Sequence, residues 1–348
     1  MRLALDRGWS VLAGLMVTLM AVFLMSLALG STHVPIRRVV EILIGTPAPR
    51  DAAAIVVDAI RVPRSFTAML AGAALGIAGL QMQTLFRNPL ADPFALGISS
   101  GASLGVAFVV LGSGYGAAAA FGASMDVRGD ALITLAAIVG AASVLGLVLL
   151  VSNRIANPTT VLILGLMFGY GASAVVTVLV GASQPERLQA WAMWQFGSFS
   201  GVTRERLRLF APLIVLAIAV AAAMTKQLNA MLLGERYARS MGVAVKRAQL
   251  LTMVSASVLG AVVTAFCGPI AFVGIAVPHL CRGLLASSDH QVLVPAVVMM
   301  GAIVALVAQI VSLLPGSSGI LPINAVTSLI GAPVVVLVLL RNRRGTPA

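Results

Sequence analysis

Four sets of residues in this 348-residue chain have types and spacings that suggest chemistry. Gly97-Ile-Ser-Ser-Gly101 fits the Gly-x-Ser-x-Gly pattern of a serine nucleophile, which requires a sharp strand-to-helix turn to expose the hydroxyl. Gly316-Ser-Ser-Gly319 offers two more serines, in the manner of an intramembrane protease that takes its histidine from a later segment. His33, His279 and His290, with Cys267 and Cys281, are candidate metal ligands. Arg61 and Arg64, one helical turn apart, could together grip acidic groups.

The elements that must carry these residues are set by composition. The chain is 59% hydrophobic and 10% charged, with mean hydropathy +1.04. A soluble domain carries about 25% charge. These values describe an all-α polytopic membrane protein, a single domain over 1–348. Apolar runs fall at roughly 9–29, 64–86, 94–111, 131–151, 160–181, 207–225, 249–266, 269–285, 292–314 and 323–340, each near the length that spans a bilayer. About ten transmembrane helices follow. The first run is longer than a signal-peptide core, so it reads as a retained span. Pro35, Pro47 and Pro49 break the polar segment 31–63, which has room for a short amphipathic helix near 35–45. Gln184-Pro-Glu-Arg187 reads as a polar loop leading to Trp191 and Trp194, residues suited to a membrane interface.

On this frame most of the chemistry falls away. Gly97–Gly101 heads an apolar helix, so Gly97, Gly101 and Gly105 read as close helix packing, as do Gly72 and Gly76. No histidine follows Gly319. The histidines lack His-Glu-x-x-His spacing, and two cysteines in apolar surroundings make neither a zinc site nor a disulfide framework. No Gly-Lys pair exists, so there is no Walker A loop, and nucleotide hydrolysis needs another chain. The expectation is a non-enzyme with no cofactor and no metal. The net charge of +12 is scattered between apolar runs, which points to membrane lipid and not to nucleic acid. No Asp, Glu, Lys or Arg falls mid-run, and Asp92, His279 and Arg282 lie near run ends. An ion-coupled transporter would need such groups. The basic residues favour both termini in the cytoplasm. Pro93-Phe-Ala-Leu-Gly-Ile98 faintly echoes Pro269-Ile-Ala-Phe-Val-Gly-Ile275, as internal repeats or chance would produce.

One long stretch remains: Arg61-Val-Pro-Arg64, Gly72-Ala-Ala-Leu-Gly-Ile-Ala-Gly79, and Arg87-Asn-Pro-Leu-Ala-Asp-Pro93 followed by Leu96-Gly-Ile-Ser-Ser-Gly-Ala102. Pro63 suits the first turn of a helix, Asn88-Pro89 marks a turn, and Asp92 suits an N-cap. Together these segments resemble the signature of the FecCD family, the permease subunits of ABC importers for iron-siderophores, haem and cobalamin. Two later blocks fit it. Leu233-Gly-Glu-Arg-Tyr-Ala-Arg-Ser-Met-Gly242 is similar to the family's coupling loop, with Met241 for the usual leucine. Gly268-Pro-Ile-Ala-Phe-Val-Gly-Ile-Ala-Val-Pro-His279 is similar to its Gly-Pro motif.

The resemblance implies a type II ABC importer permease fold and roles for particular residues. Arg61 and Arg64 would receive glutamates of a periplasmic or lipid-anchored substrate-binding protein. A third docking arginine used by the cobalamin permease is replaced here by Leu313, and Gln309 stands where many relatives have aspartate. The 226–247 stretch would be the coupling loop, with Leu233, Gly234, Glu235, Ala238, Arg239, Ser240, Met241 and Gly242 meeting the ATPase. Independently of the family, Gly234 and Gly242 bracket a short helical piece, Glu235 to Met241, and Leu232, Leu233, Tyr237 and Met241 suit a short amphipathic helix that docks on a partner. Thr159 and Thr160 match the family's cytoplasmic gate, or simply cap a helix. His279 reads as a structural hydrogen bond or a partner contact. The expected protein is a permease of the bacterial inner membrane, paired with a second permease subunit and two ABC ATPase subunits. Its cargo would be an iron chelate, siderophore before haem, with cobalamin as the alternative. An ATP-independent secondary transporter is the rival class.

Overall fold

The computed structural model describes residues 2–30, 33–45, 51–112, 129–152, 155, 158–313 and 321–343, and side chains from 8 to 336 within these. The loops expected at 112–130 and Pro315–Gly319, and the Arg341–Arg344 side chains, lie almost wholly outside the described residues. Helices make up nearly all of the rest. In chain order they are α1 (Arg2–Ala28), α2 (Ile36–Leu43), α3 (Ala52–Ile55), α4 (Val62–Phe86), α5 (Ile98–Val110), α6 (Gly129–Ser152), α7 (Pro158–Gly181), α8 (Pro185–Gln195), α9 (Arg204–Ala223), α10 (Thr225–Leu232), α11 (Glu235–Ser240), α12 (Val245–Cys267), α13 (Val273–Leu285), α14 (His290–Ser312) and α15 (Ile323–Arg343).

Seven stretches are long and apolar enough to cross a membrane: Gly8–Ala28, Ala52–Phe86, Gly129–Ser152, Thr159–Gly181, Arg204–Ala223, Val245–Cys267 and His290–Ser312. Three apolar helices are shorter: Ile98–Val110, Val273–Leu285 and Ile323–Val336. These ten coincide with the ten apolar runs of the sequence. The protein is therefore an all-α polytopic membrane protein.

The core forms around α4, whose residues are buried almost without a break from Ala71 to Leu85. Helices α14, α12, α13 and α9 surround it, while α5 packs against α6 and α7. Glycine sets how closely these helices approach. A methyl group on Gly72 would overlap Gly301 O of α14, and one on Gly79 would overlap Gly274 O of α13. In the second group, a methyl on Gly101 would lie 2.6 Å from Gly140 O, and one on Gly105 would overlap Ala136 O. The Gly97-Gly101-Gly105 row is thus a packing face, with backbone meeting backbone as membrane helices allow.

The two short helices repeat one design. Pro93–Leu96 forms a single 3-10 turn, Gly97 turns left-handed at φ 78°, and the 13 residues of α5 follow. On the other side, 269–272 is irregular, Phe272 turns left-handed at φ 68°, and the 13 residues of α13 follow. Gly331 of α15 leaves room for the Phe272 side chain. Thirteen residues rise about 20 Å, short of a hydrocarbon core of about 30 Å. The remaining depth is irregular backbone, which a membrane tolerates only inside protein. The faint echo between 93–98 and 269–275 falls on both of these approaches, but out of register: the echo pairs Gly97 with Gly274, whereas the left-handed residues are Gly97 and Phe272.

This design carries Asp92 deeper than its sequence position suggests. Its Oδ1 accepts from Phe94 N at 2.8 Å, as an N-cap should. A methyl on Gly274 would sit 3.2 Å from Asp92 Oδ2 and 3.3 Å from Leu75 O. Leu75 is near the middle of α4, so the end of run 3 lies inside the bundle. A second difference concerns 185–195, expected as loop. It is helix α8, with Pro185 in its first turn, and Trp191 and Trp194 pack against the main core. Gln195 Nε2 ties it to Ser103 Oγ at 3.1 Å. After the proline, Leu, Gln, Ala and Met are good helix formers and outvote the polar start.

Candidate functional site

Recognisable residues gather at the two ends of α4, the Arg87 end and the Arg61 end. At the Arg87 end, α9 runs into a helical hairpin. Helix α10 turns at Gly234 (φ 113°) into α11, and Gly242 (φ 83°) closes it. The sequence placed this short helix between the same two glycines. Ala238 is buried against Ala230 and Val245, which fixes the hairpin's inner face. Its outer face shows Leu233 at 63% exposure, Tyr237 at 66% and Met241 at 62%. Arg236, Arg239 and Ser240 are exposed beside them, and Glu235 holds Arg239 (3.2 Å) and Gln249 Nε2 (3.1 Å). Tyr237 and Met241 are one helical turn apart on α11 and its cap, and Leu233 ends α10 before the Gly234 turn, so the hairpin presents an apolar knob of exposed side chains among charged ones.

The hairpin is tied to the bundle by polar contacts that the motifs did not reveal. Arg87, left-handed at φ 47° where α4 ends, donates through Nη2 to Met231 O at 3.1 Å. Asn229 Oδ1 accepts from His290 N at 2.9 Å and pairs with His290 Nδ1 at 2.8 Å. Asn229 Nδ2 donates to Asp289 Oδ1 at 2.7 Å. The other ring nitrogen of His290 meets Thr84 Oγ1 of α4 at 2.9 Å. One asparagine on α10 thus reaches the first residue of α14 and, through His290, the last turns of α4. His279 also serves structure, with Nε2 2.8 Å from Pro89 O. Arg282 Nη1 donates to Gln83 Oε1 at 2.6 Å. Among the described residues, no three His, Cys, Asp or Glu side chains stand together as metal ligands.

At the Arg61 end the two arginines separate. Arg61 is buried, 5% exposed, and its Nη1 donates to Leu27 O (2.7 Å) and Ala28 O (2.9 Å) at the end of α1. Gly30 leaves space for the guanidinium, which a methyl there would approach to 3.2 Å. A cation at a helix C-terminus meets the negative end of its dipole. As packed, this group faces protein and not an incoming partner. Arg64 is half-buried, its buried Nε has no partner among the described residues, and it lines a pocket of about 140 Å³ with Gln309, Leu313, Ser312, Phe196 and Leu321. Gln309 Nε2 holds Ser65 Oγ at 3.2 Å, while its buried Oε1 is unpaired among the described residues. Of the two arginines expected to dock, Arg64 thus meets the two departures, Gln309 and Leu313, around one opening, while Arg61 does not line it.

Thr159 and Thr160 are exposed in the first turn of α7. The helix begins at Pro158, so neither is its N-cap. Further along α7, Tyr170, Ser173 and Thr177 form an exposed polar stripe on an otherwise apolar span.

The model of the FecCD transport family matches residues 18–341. The vitamin B12 import system permease protein BtuC of Klebsiella pneumoniae subsp. pneumoniae is 36% identical over 291 residues, covering 82% of each chain. Among solved structures, a metal-chelate type ABC transporter in an inward-facing conformation superposes with TM-score 0.80 at 27% identity, covering 95% of this chain and 99% of that one. A chain of PsaBC from Streptococcus pneumoniae, solved with a Fab, shares the fold alone, with TM-score 0.54 at 16% identity over 80% of this chain and 90% of that one.

Proposed function

The chain belongs to the FecCD transport family as an ABC importer permease, and from that premise we propose that it carries an iron chelate across the bacterial inner membrane, a ferric siderophore first and haem next. The family works with an ABC ATPase and a substrate-binding protein. The observation that carries the ATP-driven part of the proposal is the exposed knob of Leu233, Tyr237 and Met241 on a hairpin bound to α4 and α14, and the likeness to a metal-chelate type transporter supports the cargo. An apolar knob with a charged rim fits a cleft in a soluble partner. Leu233, Gly234, Glu235, Ala238, Arg239, Ser240, Met241 and Gly242 form the coupling element. ATP-driven closure of the partner would move it.

Both termini are then cytoplasmic, and the Arg61 end faces the binding protein. Arg64, half-buried in the pocket wall, takes an acidic side chain, while Arg61 holds the end of α1 that frames the site. With Leu313 in place of a third arginine, the charge at this opening rests on Arg64. The exposed Tyr170, Ser173 and Thr177 stripe favours a second permease subunit beside α7, since hydroxyls facing lipid are disfavoured. Thr159 and Thr160 stand at the cytoplasmic mouth as the gate.

Cobalamin is the second reading, favoured by the 36% identity to a vitamin B12 permease. The test is uptake of labelled ferric siderophore, haem and cobalamin into liposomes holding the permease, its ATPase and its binding protein. ATP-dependent uptake of an iron chelate alone supports the first reading, and of cobalamin alone the second. Uptake without the ATPase, or uptake following a proton gradient, overturns both.

A further inference from the structure

Helix α2 has three faces. At about 100° per residue, Val39 and Ile42 share one side, and they pack with Leu27, Ala28, Val34 and Val57 in a small separate core. Arg37, Arg38 and Glu41 share a second side. They are joined by ion pairs of 3.2 Å from Arg37 to Glu41, 2.8 Å from Arg38 to Glu41 and 2.5 Å from Arg38 to Asp51. The third side is Ile36, Val40, Leu43 and Ile44, exposed at 52%, 37%, 48% and 74%. A helix serving only to close a loop over the bundle needs the first two faces. The third leaves four large apolar side chains uncovered by any of the described residues.

We propose that this third face lies in the membrane interface, so that α2 is an in-plane anchor resting on the lipid leaflet at the Arg61 end. Three observations select lipid as the occupant. The face is continuous with surface already lipid-facing: α2 is the next helix after α1 and packs against its end through Val39, Leu27 and Ala28, and α1 is exposed at Met20 (56%) and Met25 (45%). The adjoining segment adds Ile55 at 63% and Ile60 at 50%. Next, the charged side stands beside the apolar one and not opposite it. This order lets apolar side chains enter the acyl boundary while arginines reach lipid phosphates. Arg37 fits that role, with a side chain 92% exposed. Finally, the acid-binding opening around Arg64 is a separate feature, so a partner recognised through arginine does not require this face. The inference needs only the membrane fold and stands whatever the cargo.

Spin labels test it in the full chain reconstituted in phospholipid nanodiscs. Val40→Cys and Leu43→Cys probe the third face, Ile44→Cys is a further position should one variant fold poorly, and Arg37→Cys probes the charged side. The native cysteines, Cys267 and Cys281, are buried. The expected result is a ratio of oxygen to nickel-chelate accessibility several-fold higher at 40, 43 and 44 than at 37. Equal nickel-chelate access at 37 and 40 overturns the proposal, because the face is then in water. Labels shielded from both reagents also overturn it, because the face is then covered by protein. Shielding that appears only on adding the binding protein does the same and assigns the face to that partner.

Discussion

The two ends of α4 present their recognisable residues in opposite ways. At the Arg87 end the distinctive side chains stand out: Leu233, Tyr237 and Met241 are each more than 60% exposed. At the Arg61 end they are drawn in: Arg61 is 5% exposed, and Arg64 lines the wall of a small pocket. One end is a protruding plug, the other a socket. A plug transmits force and must be held stiffly from behind, as the ties from Arg87, Asn229 and His290 do. A socket recognises a shape and a charge, and must leave a group unsatisfied until its partner arrives. Arg64 is the half-buried cation in that wall, and its Nε and Gln309 Oε1 lie buried beside the opening without a partner among the described residues.

The contrast can be broken most sharply at the plug. Changing Tyr237 and Met241 together to Asp should abolish ATP-driven uptake in liposomes, a loss on the order of 100-fold, since two central anchors of an interface are removed. Gel filtration should still give a folded permease, because both side chains point outward. Uptake near the parent rate would mean that the plug meets no partner.

At the socket, Arg64→Glu should weaken binding-protein affinity, measured by surface plasmon resonance, by about 10- to 100-fold, the range for reversing a partly desolvated interface charge. Arg61→Glu should act differently, lowering folded yield and melting temperature, because it faces two carbonyls across a buried gap. If both variants fold normally and lose only affinity, the division between them is wrong.

A smaller effect sharpens the comparison from behind the plug. Asn229→Leu removes the bonds to His290 and Asp289 and should cost about 1–3 kcal/mol locally, since the buried His290 loses its partner while the exposed Asp289 is solvated. Hydrolysis by the ATPase should continue while transport per ATP falls several-fold. Equal losses of hydrolysis and uptake would show that the tie serves assembly instead.

The least effect is at α2, beside the socket. Hydrogen bonds from Arg38 hold the Glu41 and Asp51 carboxylates below their usual range. Depressed carboxylates contribute stability above the unfolded values of about 4, and lose it as pH falls through the lower folded values. The hydrogen-exchange protection factors at 36–43, corrected for the intrinsic exchange rate at each pH, should therefore fall below about pH 4, while those of α4 hold. Unchanged protection factors between pH 5 and pH 3 would remove these ion pairs from the account.

Much of this was legible in the chain. The ten apolar runs, the Asp92 cap, the glycine faces and the bracket of Gly234 and Gly242 each follow from local rules: hydropathy over a window, a side chain meeting a nearby amide, a missing Cβ. The rest depends on residues far apart. Gln81 meets Ser255, and Gln309 meets Ser65 across 244 positions. Nothing local announces such pairs, just as nothing announced that Asn229 would find His290. The burial of Arg61 is of the same kind, since its partners are carbonyls at the end of another helix. Asp92 looked like a residue at a segment end and was; what the periodicity lacked was the depth at which that segment begins.

The glycine contacts of α4 also bear on how this machine handles load. Backbone touches backbone at Gly72 with Gly301 and at Gly79 with Gly274, with no flexible side chain between to act as a cushion. Side chains absorb small displacements by changing rotamer; peptide planes in direct contact do not. Helices α4, α13 and α14 thus behave as a drive shaft with no backlash, and the hairpin is bolted to the Arg87 end of that shaft. A stroke of an ångström or two delivered there would reach the Arg61 end nearly undiminished.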